Sequence, residues 1–497
     1  MSGSKPASKE TITNLIVNSG LAIDDLYKTL KGELVVRSLM DEHTPALYLL
    51  TQDLQNGIKF ILMDMSASCR AEFSVNNLYE KRFHMKNIQA SISEGYKLLF
   101  NFGKLRKKSL WKKLMKQIYE EGNQELIAEG IVLDKRLETF GDTEIDQELR
   151  NLTLHYNYEM IEVYKKTISV NSEEDVMKKV CTFTDILQGM KLFTDKVDEY
   201  CSSKTSIDKP FSSSPIQLNV NPFHKTVYHL LNKGGRLENI FKKLPKGVID
   251  SIDLMAKHWN ASKRIEAYIR DKKMAIGNVP EIGKVQVLTN IQLLLKFMML
   301  DMVAIVDAYC KSSSDIEYAL NFRRVCVIKV ATMVHLYGYT SDEHDHSVWK
   351  KIEEMVSTRP SLLLLCKDIS GLLEKIVSQS HDKDLRTTFV HLFDNSKYCS
   401  DLADVVNAIE GINPIIQVVE IQLLLGVYNL MMQFTKTLMN VLAEEAREKS
   451  VRSNKAINDQ MDEFISKFKE SKLPDDQKKQ LIDMMKETKR IMNDLMI

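Results

Sequence analysis

The chain has 497 residues, 44% hydrophobic and 27% charged, with a formal net charge of +1 at pH 7. That length exceeds one compact core and predicts roughly two to four domains. A charge so near zero excludes a uniformly basic shell that would coat nucleic acid indiscriminately, and leaves room for a local basic groove.

The 19 glycines and 10 prolines are together about half the usual combined share of roughly 12%. No proline occurs between Pro45 and Pro210, and the stretch is rich in Leu, Lys, Glu and Met. This composition predicts an all-α fold. In chain order, Met1 to Glu10 is polar and lacks the apolar run of a secretion signal. Ser172 to Asp175 reads as a capping box, and Val176, Val180, Phe183, Leu187, Met190 and Val197 follow on one helical face. Ser202, Ser203, Pro210, Ser212 to Ser214, Pro215 and Pro222 have the composition of a connector. The greasiest segments, Leu288 to Cys310 and Pro414 to Leu442, contain Lys296, Asp301, Asp307 and Glu420. These charges predict buried helices and no membrane contact. The tail from Ala443 is charged, with a turn expected at Leu473 to Asp476 and a narrow apolar stripe including Met461, Phe464, Phe468, Leu481, Met484 and Ile491. Seven scattered cysteines with no CxxC pair read as reduced core thiols of a cytoplasmic protein.

Parts of the sequence recur. "LMDMSASC" at Leu62 matches "MLDMVAIV" at Met299, placing Asp64 opposite Asp301. Tyr79 then faces Tyr318, Phe83 faces Phe322, and "SLWKKL" at Ser109 faces "SVWKKI" at Ser347, pairing Trp111 with Trp349. The offsets stay between 237 and 239 residues. Upstream, "NSGLAIDDLYKTLKG" at Asn18 matches "NKGGRLENIFKKLPKG" at Asn232 at an offset of 214. The expected organisation is therefore two tandem, duplicated helical bundles at 10–201 and 223–442, joined by a linker at 202–222 and followed by a helical tail at 443–497. The second bundle carries an insertion near 250–287.

Candidate chemistry sits in "ELRNLTLHY" at Glu148, which offers Arg150, Asn151 and His155. The equivalent slot of the second unit, "DLRTTFVHL" at Asp384, offers Arg386, Thr387 and His391. Histidine titrates near neutrality and serves as acid or base. Arginine presents a permanent charge and a fork of donors to phosphate oxygens. Four positions apart on a helix, Asn151 and His155 share a face, as do Thr387 and His391.

An arginine, a polar residue and a histidine after four intervening positions resemble the Arg-x4-6-His signature of the HEPN superfamily. That family consists of small helical bundles, many of them RNases of toxin–antitoxin, phage-defence and CRISPR systems. The resemblance implies a metal-independent endoribonuclease, a defence or toxin effector. Its two motifs would converge on one composite site, with RNA as substrate and no cofactor, and a regulatory protein or second copy as a further partner. Thr387 departs from the family pattern, where Asn, Asp or His is commoner, and puts the second half-site in question. The runner-up reading is a non-catalytic HEPN-like binding or scaffold protein, and a third is a nucleotide- or nucleotidyltransferase-associated HEPN protein regulated by modification. On the bland reading Arg150 binds a carboxylate or caps a helix, and His155 is a satisfied core residue.

The best basic stretch, "KLRKKSLWKKLMK" at Lys104, offers Lys104, Arg106, Lys107, Lys108, Lys112 and Lys113 to an RNA backbone. A solvated charged face around a packed Trp111 is the alternative. "SDEHDHS" at Ser341 groups Glu343, His344, Asp345 and His346 too closely for a formed metal site and reads as a solvated loop. Asp64 and Asp301 read as structural polar contacts.

Overall fold

A computed structural model describes residues 9–40, 44–75, 78–146, 148–149, 172–204, 264, 280–379, 402–471 and 474–494. Among the described residues there are fourteen α-helices, one 3₁₀ segment and no strand. The protein is all-α, as its composition predicts.

The N-terminal half holds α1 (Lys9–Ser38), α2 (Ala46–Ser74), α3 (Leu78–Leu99), a 3₁₀ segment (Gly103–Lys108), α4 (Leu110–Glu121), α5 (Gln124–Thr143) and α6 (Glu173–Lys204). The C-terminal half holds α7 (Pro280–Cys310), α8 (Asp315–Leu336), α9 (Ser341–Asp345), α10 (Val348–Val356), α11 (Pro360–Gln379), α12 (Leu402–Glu410), α13 (Pro414–Glu470) and α14 (Asp475–Asp494).

Short polar side chains set the helix starts. Ser109 accepts from the Lys112 N–H at α4, Asn123 from Leu126 at α5, Ser314 from Glu317 at α8 and Ser347 from Lys350 at α10. At α6 the Asp175 N–H donates to Ser172 Oγ at 3.2 Å, one half of the expected capping box, and Ser172 Oγ donates to Asp175 Oδ2 at 2.8 Å. Gly122 ends α4 in the left-handed conformation at φ 71°, satisfying the carbonyls of Ile118 and Tyr119. "SDEHDHS" is not a loop: Thr340 caps the short helix α9, and His344 Nε2 reaches Glu353 at 3.4 Å. Among the described residues no group of three or more His, Cys, Asp or Glu is placed to hold a metal ion.

Two apolar cores result. The first lies among α2 to α6 and is built around Tyr96, Trp111, Phe140, Phe183 and Phe193. The second lies among α7, α8 and α10 to α13, around Trp349, Tyr309, Phe322 and Phe434. It also takes Ile23, Tyr27 and Leu30 from α1, Phe60 and Met63 from α2, and Tyr79 and Phe83 from α3. The halves are thus welded through apolar contact. Tyr27 and Lys31 of α1 both reach Glu410 of α12 at 2.6 Å. Both expected tryptophans are fully buried, with Trp111 Nε1 donating to Asp134 at 2.9 Å and Trp349 Nε1 to Ser370 at 2.8 Å.

Helix α7 is buried along Leu288 to Tyr309, as its sequence predicts. The stretch Pro414 to Leu442 departs from the expectation. Leu424, Val427, Met431, Phe434, Leu438 and Leu442 are buried, while Ile415, Ile416, Val419, Leu423 and Leu430 are exposed. Helix α13 has one core-facing side, and Pro414–Lys449 is long and apolar enough to cross a membrane by length and composition. The helix then runs unbroken through 442 and 443 into the tail. Arg359 clamps it there, donating to Glu445 through Nε at 2.8 Å. Helix α14 folds back on α13, where Lys489 meets Asp462 at 2.8 Å.

Removing α14 takes away surface contacts alone, and the thermal midpoint should fall by no more than a few degrees, since exposed ion pairs contribute about 0–1 kcal/mol. Truncation at Ala443 also removes Glu445 from Arg359. It should lower the midpoint further, as measured by thermal melts of both truncated chains.

Candidate functional site

Arg150, Asn151 and His155, with Arg386, Thr387 and His391, lie outside the described residues. The geometry on either side of the first motif is defined. Helix α5 ends at Thr143, Lys179 of α6 donates to the Glu144 carbonyl at 2.8 Å, and the Leu149 N–H donates to Asp146 Oδ1 at 2.8 Å.

Of the basic stretch, Lys107, Lys108 and Lys113 are exposed, while the side chains of Lys104 and Arg106 lie outside the described residues. Lys112 is committed elsewhere. Its Nζ sits 2.7 Å from Asp134 Oδ2, 3.9 Å from Glu138 and 5.3 Å over the Phe100 ring. Asp134 thus holds both Trp111 and Lys112. Lys112, Met115, Lys116, Tyr119, Glu120, Ile131 and Asp134 line an open cleft of about 460 Å³. The cleft's carboxylates, Glu120 and Asp134, dilute its positive field, and of the candidate cations whose side chains are described, Lys107, Lys108 and Lys113 are at the surface.

The densest polar constellation lies between the halves, where hairpin α2–α3 meets hairpin α7–α8. Asp64 of α2 is buried and accepts from Ser91 Oγ at 2.7 Å and from Arg323 of α8. Arg324 approaches Asp64 at 3.5 Å and donates to Ser68 Oγ. Burial alone would raise the Asp64 carboxyl; Arg323 and Arg324 hold it below the usual carboxylate range. Asp301 of α7 accepts from Tyr79 Oη at 2.8 Å, with Lys86 Nζ at 3.6 Å, both from α3. Arg70 of α2 donates through Nε to Glu317 of α8 at 2.7 Å. Glu80 of α3 shares a hydrogen bond with Asp307 of α7, which is paired with Lys311.

These contacts form an ordered set. Asp64 with Arg324 has its counterpart in Asp301 with Lys86, each partner displaced by 237 or 238 residues. Arg70 with Glu317 has its counterpart in Asp307 with Glu80, each displaced by 237. The first counterpart is again an ion pair. The second is two carboxyls, since the residue 237 positions after Arg70 is Asp307. Burial and the Asp307 charge push Glu80 up to about 8. Beside it, burial and Arg324 push His84 down to about 3. Of this constellation the sequence marks Tyr79 and the acids Asp64, Asp301 and Asp307. Arg323 and Arg324 lie on a helix buried nearly all round, so no amphipathic pattern singles them out.

Removing one partner from a buried pair leaves an uncompensated charge at a cost of about 3–5 kcal/mol. Asp64→Ala should destabilise the chain by that order in urea titration. The pH dependence follows from the signs. Glu80 binds its proton more tightly folded than unfolded, so it weakens stability as pH rises from the unfolded value near 4.5 toward about 8. His84 and Asp64 bind theirs less tightly, so they weaken stability as pH falls below the unfolded values near 6.5 and 3.8. The melting temperature of Glu80→Gln relative to wild type should therefore climb between pH 5 and 8. A constant difference would count against the acid pair.

No protein-family model, no curated protein and no solved structure matches the chain.

Proposed function

We propose that the chain is a metal-independent endoribonuclease of HEPN type, acting in the cytoplasm as a defence or toxin effector and built by tandem duplication. The observation that carries the reading is the recurrence of Arg-x4-His, at Arg150 to His155 and Arg386 to His391, in matching slots of two related halves. The contacts between the hairpins support the duplication. Partners exchanged at offsets of 237 and 238 are what a twofold pair of like units makes, residue i meeting j and j meeting i. Two such halves in one chain supply the symmetry that a composite site needs.

RNA carries its own nucleophile. Cleavage requires one group to take the 2′-hydroxyl proton, another to protonate the leaving 5′-oxygen, and a cation to bind the charge of the phosphorane. His155 and His391 suit the two proton transfers, while Arg150 and Arg386 suit the phosphate oxygens. Asn151, and Thr387 less strongly, would orient the neighbouring imidazole. The products would be a 2′,3′-cyclic phosphate and a 5′-hydroxyl. Lys107, Lys108 and Lys113 would track the backbone of the bound strand.

His155→Ala should reduce cleavage of labelled RNA in excess EDTA by at least roughly 100-fold, the usual contribution of a general acid or base. His391→Ala should cost as much if both motifs contribute to one centre, and far less if Thr387 marks a retired half. Cleavage persisting in the double variant, or abolished by EDTA, would overturn the mechanism. A well-folded wild-type chain that binds RNA and never cuts it would favour a binding protein on the same scaffold.

A further inference from the structure

We propose that two copies of the chain pair through the exposed face of the first half of α13, helix against helix. The inference does not rest on the ribonuclease reading.

The core-facing side of this helix is spent on its own chain. Leu424, Val427, Met431, Phe434, Leu438 and Leu442 are buried in the second core. On the opposite side Ile416, Val419, Leu423 and Leu430 remain 53, 50, 54 and 41% exposed. With Gly426 they fall at alternating steps of three and four, the spacing of a seam that packs knobs into holes against another helix. A Cβ built on Gly426 would meet nothing within 4 Å, so the centre of the seam is open to close approach by a partner backbone. The same spacing continues through Gln433, Thr437 and Asn440, all exposed.

Charge identifies the occupant. Between Pro414 and Gln433 the helix carries a single ionisable group that is charged at neutral pH, Glu420, and it is turned to Lys329 within its own chain. The seam itself carries no charge from Ile416 to Asn440. An acidic or basic partner finds nothing to pair with there. A copy of the same helix brings no charge into the apolar stretch Ile416 to Leu430, and exposed Lys436, beside the polar end of the seam, falls opposite Ile416 when the two helices run antiparallel about a twofold axis at Gly426. A membrane surface fits less well. Helices that lie in a lipid interface carry several Lys and Arg beside the apolar face, and the exposed flank here is Gln422, Asn429 and Gln433, with one cation, Lys436, beyond them. A span across the bilayer would require the core-facing leucines and Phe434 to leave the protein.

The test uses the full chain in sedimentation equilibrium across micromolar concentrations. Wild type should sediment as a dimer. Leu423→Glu places a like charge at the seam and should weaken the dimer by at least roughly 30-fold, the effect of losing one interfacial hot spot. Leu192→Glu, at an exposed leucine of α6, should leave it unchanged, and thermal melts of each variant establish that it is folded. In a second measurement, Gly426→Cys should form an intermolecular disulfide under mild oxidation, and Leu192→Cys should not. A wild-type monomer throughout the range would overturn the proposal, as would a dimer equally strong in Leu423→Glu. Flotation of wild type with phosphatidylcholine–phosphatidylglycerol vesicles, lost in Leu423→Glu, would reassign the face to lipid and overturn it too.

Discussion

Arg323 and Arg324 of α8 converge on Asp64 in a site closed to water, and the registration of the two halves depends on that contact. Apolar packing between α1, α2, α3 and the C-terminal helices supplies most of the attraction between the halves. Such packing tolerates sliding, because leucines and methionines exchange neighbours at modest cost. Buried ions do not. A half shifted by one helical turn would take Asp64 from both arginines at once and leave it charged in an apolar interior with Ser91 of its own hairpin. The pairs therefore contribute less to net stability than to selecting one alignment out of many that bury similar apolar area.

The contacts displaced by 237 and 238 residues follow that logic in part. Asp301 with Tyr79 and Lys86 repeats the arrangement with a shorter, single-pronged cation. Lysine cannot reproduce the fork that arginine offers a carboxylate, and Tyr79 supplies the missing donor. At the next position the pattern inverts: Arg70 with Glu317 is an ion pair, and Asp307 with Glu80 is an acid pair sustained by Lys311 and a bound proton. The two halves are consequently unlike where they touch, one joint an ion pair and the other a pair of carboxyls in which burial favours the protonated form of Glu80.

Much of the helical framework is legible in the sequence. Ser109 and Ser347 before each tryptophan, and Ser172 with Asp175, announce helix starts through local hydrogen bonds that need no tertiary context. Asp64 and Asp301 are conspicuous as acids within apolar runs. Their partners are not, because which cation meets which carboxylate depends on how two hairpins pack across some 240 residues of sequence. The unbroken α13 was readable in principle, since neither proline nor glycine interrupts Val427 to Glu470. The change there from apolar to charged composition marks where the helix leaves the core and not where it ends. Along Pro414 to Leu442, high hydrophobicity predicts burial all round; the structure uses one side of it, because α7 and α11 approach from one direction.

On the proposed duplication, divergence has collected at two kinds of place: Asp307 where the other half has Arg70, and Thr387 where it has Asn151. Both substitutions weaken a symmetric role while leaving its partner intact. A symmetric pair of half-sites needs two acid–base groups that can trade functions, whereas one reaction on one phosphodiester needs a base on one side and an acid on the other. Two unlike halves meet that need better than two identical ones, because each histidine can then be held in its own environment and titrate at its own pH. The same reasoning bears on the interface. An alignment fixed by these pairs sets Arg70 of the first hairpin against Glu317 of the second, where two copies of the second hairpin would set Asp307 against Glu317. It ties the first hairpin to the second within one chain and leaves the exposed seam of α13, uncharged and outside that network, as the surface on which whole chains can meet.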